Sequence, residues 1–129
     1  LHVRSRRQRQ MCIRDRIFSY DGTGGQTEEH SHACVGSGAL FASDVLNEGY
    51  RTGMDRDESV ALAIRALDTA ISDDSPSSLS GPDLSRGLYP TVACADSRGV
   101  TRMPTEEVAV LAKWLADQVT AESDREEAQ

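Results

Sequence analysis

The sequence contains no apolar run that approaches the ~18 residues needed to cross a membrane, and its basic first residues lack the apolar segment of a secretory signal. Its three cysteines lie far apart, and none belongs to a C-x-x-C pair. Lys113 is the only lysine, so the basic residues are almost all arginine. A sparse, odd set of cysteines without a signal is typical of a reducing compartment, so we expect a cytoplasmic protein.

Charge is distributed unevenly along the chain. Residues 1–16 hold six arginines and one acid, whereas the whole chain has a net charge of −7 at pH 7. The remaining body is therefore strongly acidic, which argues against nucleic acid or an anionic membrane as its partner. Residues 1–16 have no helical or strand period and resemble translated library-adapter sequence, so we expect them to be disordered and outside the fold. A nucleic-acid-binding arm and a transit peptide are the alternative interpretations.

A glycine-rich turn follows the first apolar run. Residues 17–20 and about 29–35 are both extended patterns, and Asp21-Gly22 between them is a strong hairpin signal because both positions tolerate positive φ. A phosphate-binding loop would need a helix behind it and a lysine or a G-x-G-x-x-G frame, and this stretch has neither. We therefore predict a hairpin.

Three potential metal ligands, His30, His32 and Cys34, alternate along the second predicted strand and would share one face of it. These residue types suit zinc, but no fourth ligand with suitable spacing follows. We therefore predict a polar strand face and no metal site.

Apolar residues at helical spacing predict two helices in the middle of the chain. The first ends before Gly53, and the second begins at Asp55, whose spacing to Glu58 resembles a capping box, and ends near Ser72. Alanines in the second helix allow a neighbour to approach closely. The predicted buried residues are Leu40, Phe41, Val45, Leu46 and Tyr50 in the first helix and Val60, Ile64, Leu67 and Ile71 in the second.

The last third of the chain predicts a second hairpin and a third helix. Strands at residues 88–95 and 100–103 flank a turn, and Pro104 followed by two acids opens the helix. The helix has a predicted buried stripe of Val108, Leu111, Ala112, Leu115 and Val119, with Trp114 at its edge. We predict an α+β domain over residues 17–120 and a frayed acidic tail over residues 121–129. Four strands leave open edges, so we expect a larger domain or an assembly.

Two stretches carry candidate chemistry. Gly36 and Gly38 bracket Ser37 at a predicted strand-to-helix corner, where a hydroxyl is placed for hydrogen bonding; a turn with a serine N-cap is the simpler interpretation. Asp73 and Asp74 end the second helix, where the helix dipole disfavours negative charge, so we expect a positive group nearby. The residues that follow, as far as Pro82, would otherwise be interpreted as a linker.

Independent nucleophilic catalysis is not favoured. A triad of Ser37, Asp74 and either His30 or His32 would need a sharp reversal, because an extended strand carries the histidines away from the serine. The G-x-S-x-G frame is also absent. Cys34 lies beside apolar neighbours, which is typical of a packed thiol.

Four motifs follow one another along the chain: residues 18–21 are FSYD, residues 32–42 are HACVGSGALFA, residues 72–75 are SDDS and residues 81–91 are GPDLSRGLYPT. Together they resemble the later part of a proteasome β subunit of the actinobacterial type. The similarity extends from about residue 17 to residue 119, and the order of the motifs is more specific than any one of them.

The resemblance implies an N-terminal-nucleophile hydrolase fold, a four-layer αββα sandwich of which this chain would hold an incomplete C-terminal portion. It implies heptameric rings of β subunits that are capped by α subunits, degrade unfolded polypeptides and use no cofactor. The family nucleophile is an N-terminal threonine whose own amine acts as base. No threonine-led terminus is visible here, so we expect the chain alone to be inactive. A non-catalytic structural subunit or interaction module of a proteasome-like ring is the alternative.

The residues that carry over by resemblance belong to the shell that supports the threonine. Ser37 matches the family serine that hydrogen-bonds near the threonine amine, and Asp74 matches the acid that holds this serine and the terminus in place.

The loop after that acid is longer than the family pattern. A further supporting hydroxyl would come from Ser77 or Ser80, and the sequence leaves this choice open. Glycines at turns are the remaining matched positions: Gly36, Gly38 and Gly81.

Overall fold

The structure is a computed structural model that describes residues 9–13, 16–73 and 83–128. Its described elements are three helices and short antiparallel strands, as an α+β fold requires, and the four-layer sandwich stays a prediction. The strands form a three-stranded sheet in the order β1-β2-β3 and a separate two-stranded sheet, β4-β5. The elements in chain order are β1 (Arg9–Ile13), β2 (Arg16–Tyr20), β3 (Gln26–Glu29), α1 (Ala39–Gly49), α2 (Arg56–Asp73), a 3-10 turn (Leu84–Arg86), β4 (Ala93–Asp96), β5 (Gly99–Arg102) and α3 (Thr105–Glu127).

Residues 9–13 form strand β1, whereas the sequence predicts that residues 1–16 are disordered. It pairs antiparallel with β2, so that Arg9 lies opposite Tyr20 and Ile13 lies opposite Arg16. Strand pairing uses main-chain N–H and C=O groups and needs no side-chain period, and the edge of β2 that faces away from β3 offers those groups to a second strand. The adapter-like origin of the segment stays a prediction.

The β2–β3 hairpin confirms the first predicted strand pair but not its length. Tyr20 lies opposite Gln26 and Ile17 opposite Glu29. Because Ile17 is only one residue from the start of β2, residues after Glu29 have almost nothing left on that strand to pair with. The prediction of a strand as far as residue 35 is therefore wrong, and residues 30–38 form turns and irregular structure.

The turn of this hairpin is organised by one carboxylate. Asp21 Oδ1 accepts hydrogen bonds from Thr23 N (2.9 Å), Thr23 Oγ1 (2.8 Å) and Gly25 N (2.7 Å). The hydrogen bond from the Thr23 side chain, followed by those from the backbone N–H groups of Gly25 and Thr23, lowers the pKa of Asp21. The loop is thus wider than the two-residue turn that Asp-Gly predicts.

Helices α1 and α2 pack through small side chains. Ala42, Ala66 and Ala70 form a buried cluster. A Cβ atom added at Gly38 would lie 2.9 Å from the Cβ of Ala70, and one added at Gly49 would clash with Leu62. Only small residues allow helices to approach this closely, which confirms the role predicted for the alanines of α2.

The apolar face predicted for α1 is partly wrong. Leu40 is 80% exposed, and Phe41 and Tyr50 are also exposed, whereas Val45 and Leu46 pack against the alanine cluster. Periodicity alone favours the large residues, but the neighbouring helix comes close enough only where the α1 side chain is small, at Ala42.

The start of α2 confirms the predicted capping box. Glu58 N donates to Asp55 Oδ1 (2.8 Å), and Asp55 N donates to Glu58 Oε2 (3.0 Å). Arg51 adds an ion pair of 2.6 Å to Glu58. Two N–H groups at the helix start, which have no partner within the helix itself, are thereby satisfied by side chains.

A second core joins α2 to α3. Its buried members are Val60, Ile64, Met103, Val108 and Ala112. Val60, Ile64, Val108 and Ala112 were all predicted to be buried. Leu67 and Val119, also predicted to be buried, are instead exposed. They lie on the same helices but outside this cluster.

The region before α3 contains the second predicted hairpin, with a shorter first strand. Leu88 pairs with Asp83 through two backbone hydrogen bonds of 2.8 Å, which close a loop around the 3-10 turn, and regular pairing begins only at Ala93. Asp96 Oδ1 accepts from Arg98 N (2.8 Å) across the turn that leads to β5.

Helix α3 continues to Glu127, although the sequence predicts fraying from residue 121. Residues 121–127 contain no glycine or proline, the two residue types that most strongly disfavour a helix, so nothing in this segment forces the helix to end before Glu127.

Candidate functional site

The Gly36-Ser37-Gly38 corner lies immediately before α1. Gly36 has a φ of +121°, which a residue with a side chain rarely adopts, so glycine is required where the chain turns. Ala39 N donates to Gly36 O (3.2 Å), and Ala42 N donates to Gly38 O (3.1 Å). The N-cap position is occupied by Gly38 and not by Ser37, so the serine N-cap interpretation is wrong. Ser37 is exposed at the tip of the turn.

The corner is held against the C-terminal half of α2. Gly38 lies against Ala70 of that helix, at a distance that leaves no room for a Cβ atom at position 38. The neighbouring half-buried Cys34 also packs on the alanine cluster. The loop that carries the serine therefore packs against α1 and α2 on both sides of Ser37, through Cys34 and Gly38, and such contacts can position a hydroxyl.

An apolar groove of about 620 Å³ opens beside the serine. Loop residues 33–38 form one wall, and α1 and α2 supply the others, with Val35, Leu46, Leu67 and Ile71 among the larger side chains. Ser37 therefore places one hydroxyl at the border of an otherwise largely apolar concavity. Such an arrangement can orient a polar group that enters from a neighbouring segment.

The two histidines do not approach this corner as members of a triad. Ser31 Oγ lies 2.8 Å from His32 Nδ1, and the His32 ring lies against Tyr50 with 6.2 Å between ring centroids. His30 is exposed. The shared strand face predicted for His30, His32 and Cys34 is wrong, because these residues follow the end of β3. Among the described residues, no group of three or more His, Cys, Asp or Glu side chains is arranged to hold a metal ion.

The remaining predicted site residues, Asp74, Ser77, Ser80 and Gly81, lie outside the described residues. Of the residues predicted by resemblance, the structure therefore places Gly36, Ser37 and Gly38, and their association with Asp74 stays a prediction. Helix α2 nevertheless carries the chain past the corner at Ala70 and is described to Asp73, the residue directly before Asp74.

One ion pair between helices α2 and α3 was not predicted from the sequence. The Arg56 guanidinium at the start of α2 lies 3.0 Å from Glu107 Oε2 at the start of α3. Hydrogen bonds to Cys94 of β4 and to Glu107 raise the pKa of Arg56. The three residues are distant in sequence, so no local pattern could have revealed this link.

Comparison with known proteins identifies the family. Residues 13–81, more than half of the chain, match the family model described as Proteasome subunit. The chain belongs to the proteasome subunit family. This match includes the Gly36-Ser37-Gly38 corner and both helices that support it, and it confirms the resemblance on which the site residues were assigned.

Individual proteasome relatives agree with the family match. The chain is 42% identical over 98 residues to Proteasome subunit beta from Stackebrandtia nassauensis, an alignment that covers 76% of this chain and 34% of the relative. It is 40% identical over 112 residues to Proteasome subunit beta from Rhodococcus erythropolis strain PR4 and to Proteasome subunit beta 2 from Rhodococcus erythropolis, in both cases over 86% of this chain and 38% of the relative. The chain thus spans a little over a third of the length of the curated relatives it matches.

A membrane-spanning helix is not found among the helices of the described ranges, none of which is both long and apolar enough.

Proposed function

We propose that this chain is part of a threonine-type endopeptidase subunit of a cytoplasmic proteasome core particle, and that its role there is to support the nucleophile. Its relatives are named as proteasome β subunits. The observation that carries the proposal is the corner at Ser37, where Gly36 turns the chain and Gly38 lies against Ala70 of α2.

Ser37 and Asp74 have separate roles in this proposal. In the family, the hydroxyl of an N-terminal threonine attacks the peptide carbonyl, and the free amine of the same threonine takes the proton. Ser37 hydrogen-bonds to that amine. Asp74 accepts a hydrogen bond from Ser37 and stabilises the ammonium form that the amine adopts after it takes the proton.

The geometry of α2 supports this pairing. Ala70 contacts the corner, and Asp74 follows four residues later in sequence. A carboxylate at the C-terminal end of a helix is unfavourable with respect to the helix dipole, and a nearby ammonium would offset this cost. Ser77 or Ser80 supplies a further hydroxyl to the same network, and Gly81 allows the turn that follows.

The proposal extends to the assembly. The chain would complete an αββα sandwich together with strands that it does not itself contain, and the complete subunits would form a heptameric β ring between α rings. Unfolded polypeptides are the proposed substrates. Thr23, Thr27 and Thr52, which lie in turns or in strand β3, are not proposed as the nucleophile.

A chimaeric subunit tests the proposal. Residues 17–120 would replace the matching segment of the Rhodococcus erythropolis β subunit, and the product would be expressed together with the α subunit of that organism. We expect native mass spectrometry to show an assembled ring particle, and a fluorogenic peptide to be hydrolysed only when the N-terminal threonine is intact. An assembled particle that is inactive would contradict the catalytic proposal and favour a structural subunit, and failure to assemble would contradict both.

A further inference from the structure

We draw no further inference here: the strongest candidate, the apolar groove between the Gly36-Ser37-Gly38 corner and helices α1 and α2, belongs to the candidate site already described, and nothing in the structure shows what covers it.

Discussion

The two faces of α2 are packed by different means. Toward α1, the helix presents Ala66 and Ala70, and the contact with the loop before α1 is so close that a single added carbon at Gly38 would clash. Toward α3, it presents Val60 and Ile64, which are buried among larger apolar side chains. The first interface brings backbones together, whereas the second removes apolar surface from water.

This difference assigns different tasks to the two regions. Burial of large side chains contributes most of the stability, because the hydrophobic effect scales with apolar area. Close packing of small residues contributes less area, but it determines where the Ser37 corner lies relative to α2. The changes below are given in order of decreasing expected effect, and the first two test this division directly.

The largest effect is expected from Ile64→Ala in the α2–α3 core. Ile64 is 1% exposed, so the change creates a cavity and should lower the free energy of unfolding by about 3 kcal/mol. Urea unfolding followed by circular dichroism measures this. The matched control is Leu67→Ala on the same helix, where the side chain is 41% exposed and a much smaller loss is expected. Equal losses would contradict the assignment of the core to one face of α2.

The second change, Gly38→Ser, tests the small-residue interface. Serine is generally a slightly better N-cap residue than glycine, so local helix chemistry predicts a small gain in stability. Contact with Ala70 predicts instead a loss of roughly 2 kcal/mol from overpacking. Urea unfolding distinguishes these signs.

A double-mutant cycle completes this test. Combining Gly38→Ser with Ala70→Gly removes the clash, so the two changes together should cost less than the sum of the single changes. Strict additivity would show that the two positions do not touch.

The third change tests whether the hydroxyl of Ser37 contributes to peptide hydrolysis. In the chimaeric particle, Ser37→Ala should lower peptide turnover about tenfold or more, since it removes a hydrogen bond to a charged group. Thermal stability and assembly should change much less than turnover, because Ser37 is exposed and its replacement by alanine leaves no buried cavity. The control is Ser59→Ala, at an exposed position of α2. A particle with this change should hydrolyse the peptide at the same rate as the unmodified chimaeric particle.

Asp74→Asn belongs to the same experiment. It should lower turnover in the same way, and the double variant with Ser37→Ala should be little worse than either single variant, because both residues act through one network. Unmodified turnover in both single variants would refute their proposed roles.

The fourth change, Asp55→Ala, removes the capping box of α2. Loss of the side-chain acceptor for Glu58 N should cost about 1 kcal/mol in urea unfolding. Asp55→Ser retains an acceptor and should recover most of this loss. If alanine and serine behaved alike, the hydrogen bond would contribute nothing measurable.

The smallest effect is expected at Asp21, outside both helix interfaces. Because folding lowers the pKa of this carboxyl, its contribution to stability is present above the pKa of the unfolded chain and is lost as the pH falls through the lower folded value. An NMR titration of the Gly25 amide should therefore report a midpoint below the ordinary value of 3.8. In Asp21→Asn this titration step should disappear; persistence of the step would assign it to another carboxyl.

Local features were predicted well because their causes are local. The Asp55–Glu58 capping box, the locations of the two hairpin turns and the start of α3 depend on residues within a few positions of one another. The order of the GSG and GPDLSRGLYPT motifs indicated the family before any geometry was known. Ser37 was likewise selected from its flanking glycines and that motif.

Features that depend on a distant partner were predicted less well. The sequence pattern places Leu40 in the core, but the approach of α2 selects Ala42. The end of β3 follows from the register with β2 and not from the residues after Glu29. Strand β1 likewise forms because β2 has an edge to pair with, although its own side chains show no strand period.

The three helices, the locations of the turns and the family could be predicted from the amino-acid sequence alone. That Ser37 lies beside α2 could not, because this position depends on the contact between Gly38 and Ala70, which are far apart in the chain. Periodicity reports which residues can be buried, whereas burial itself requires a second surface, and the shape of that surface selects among them.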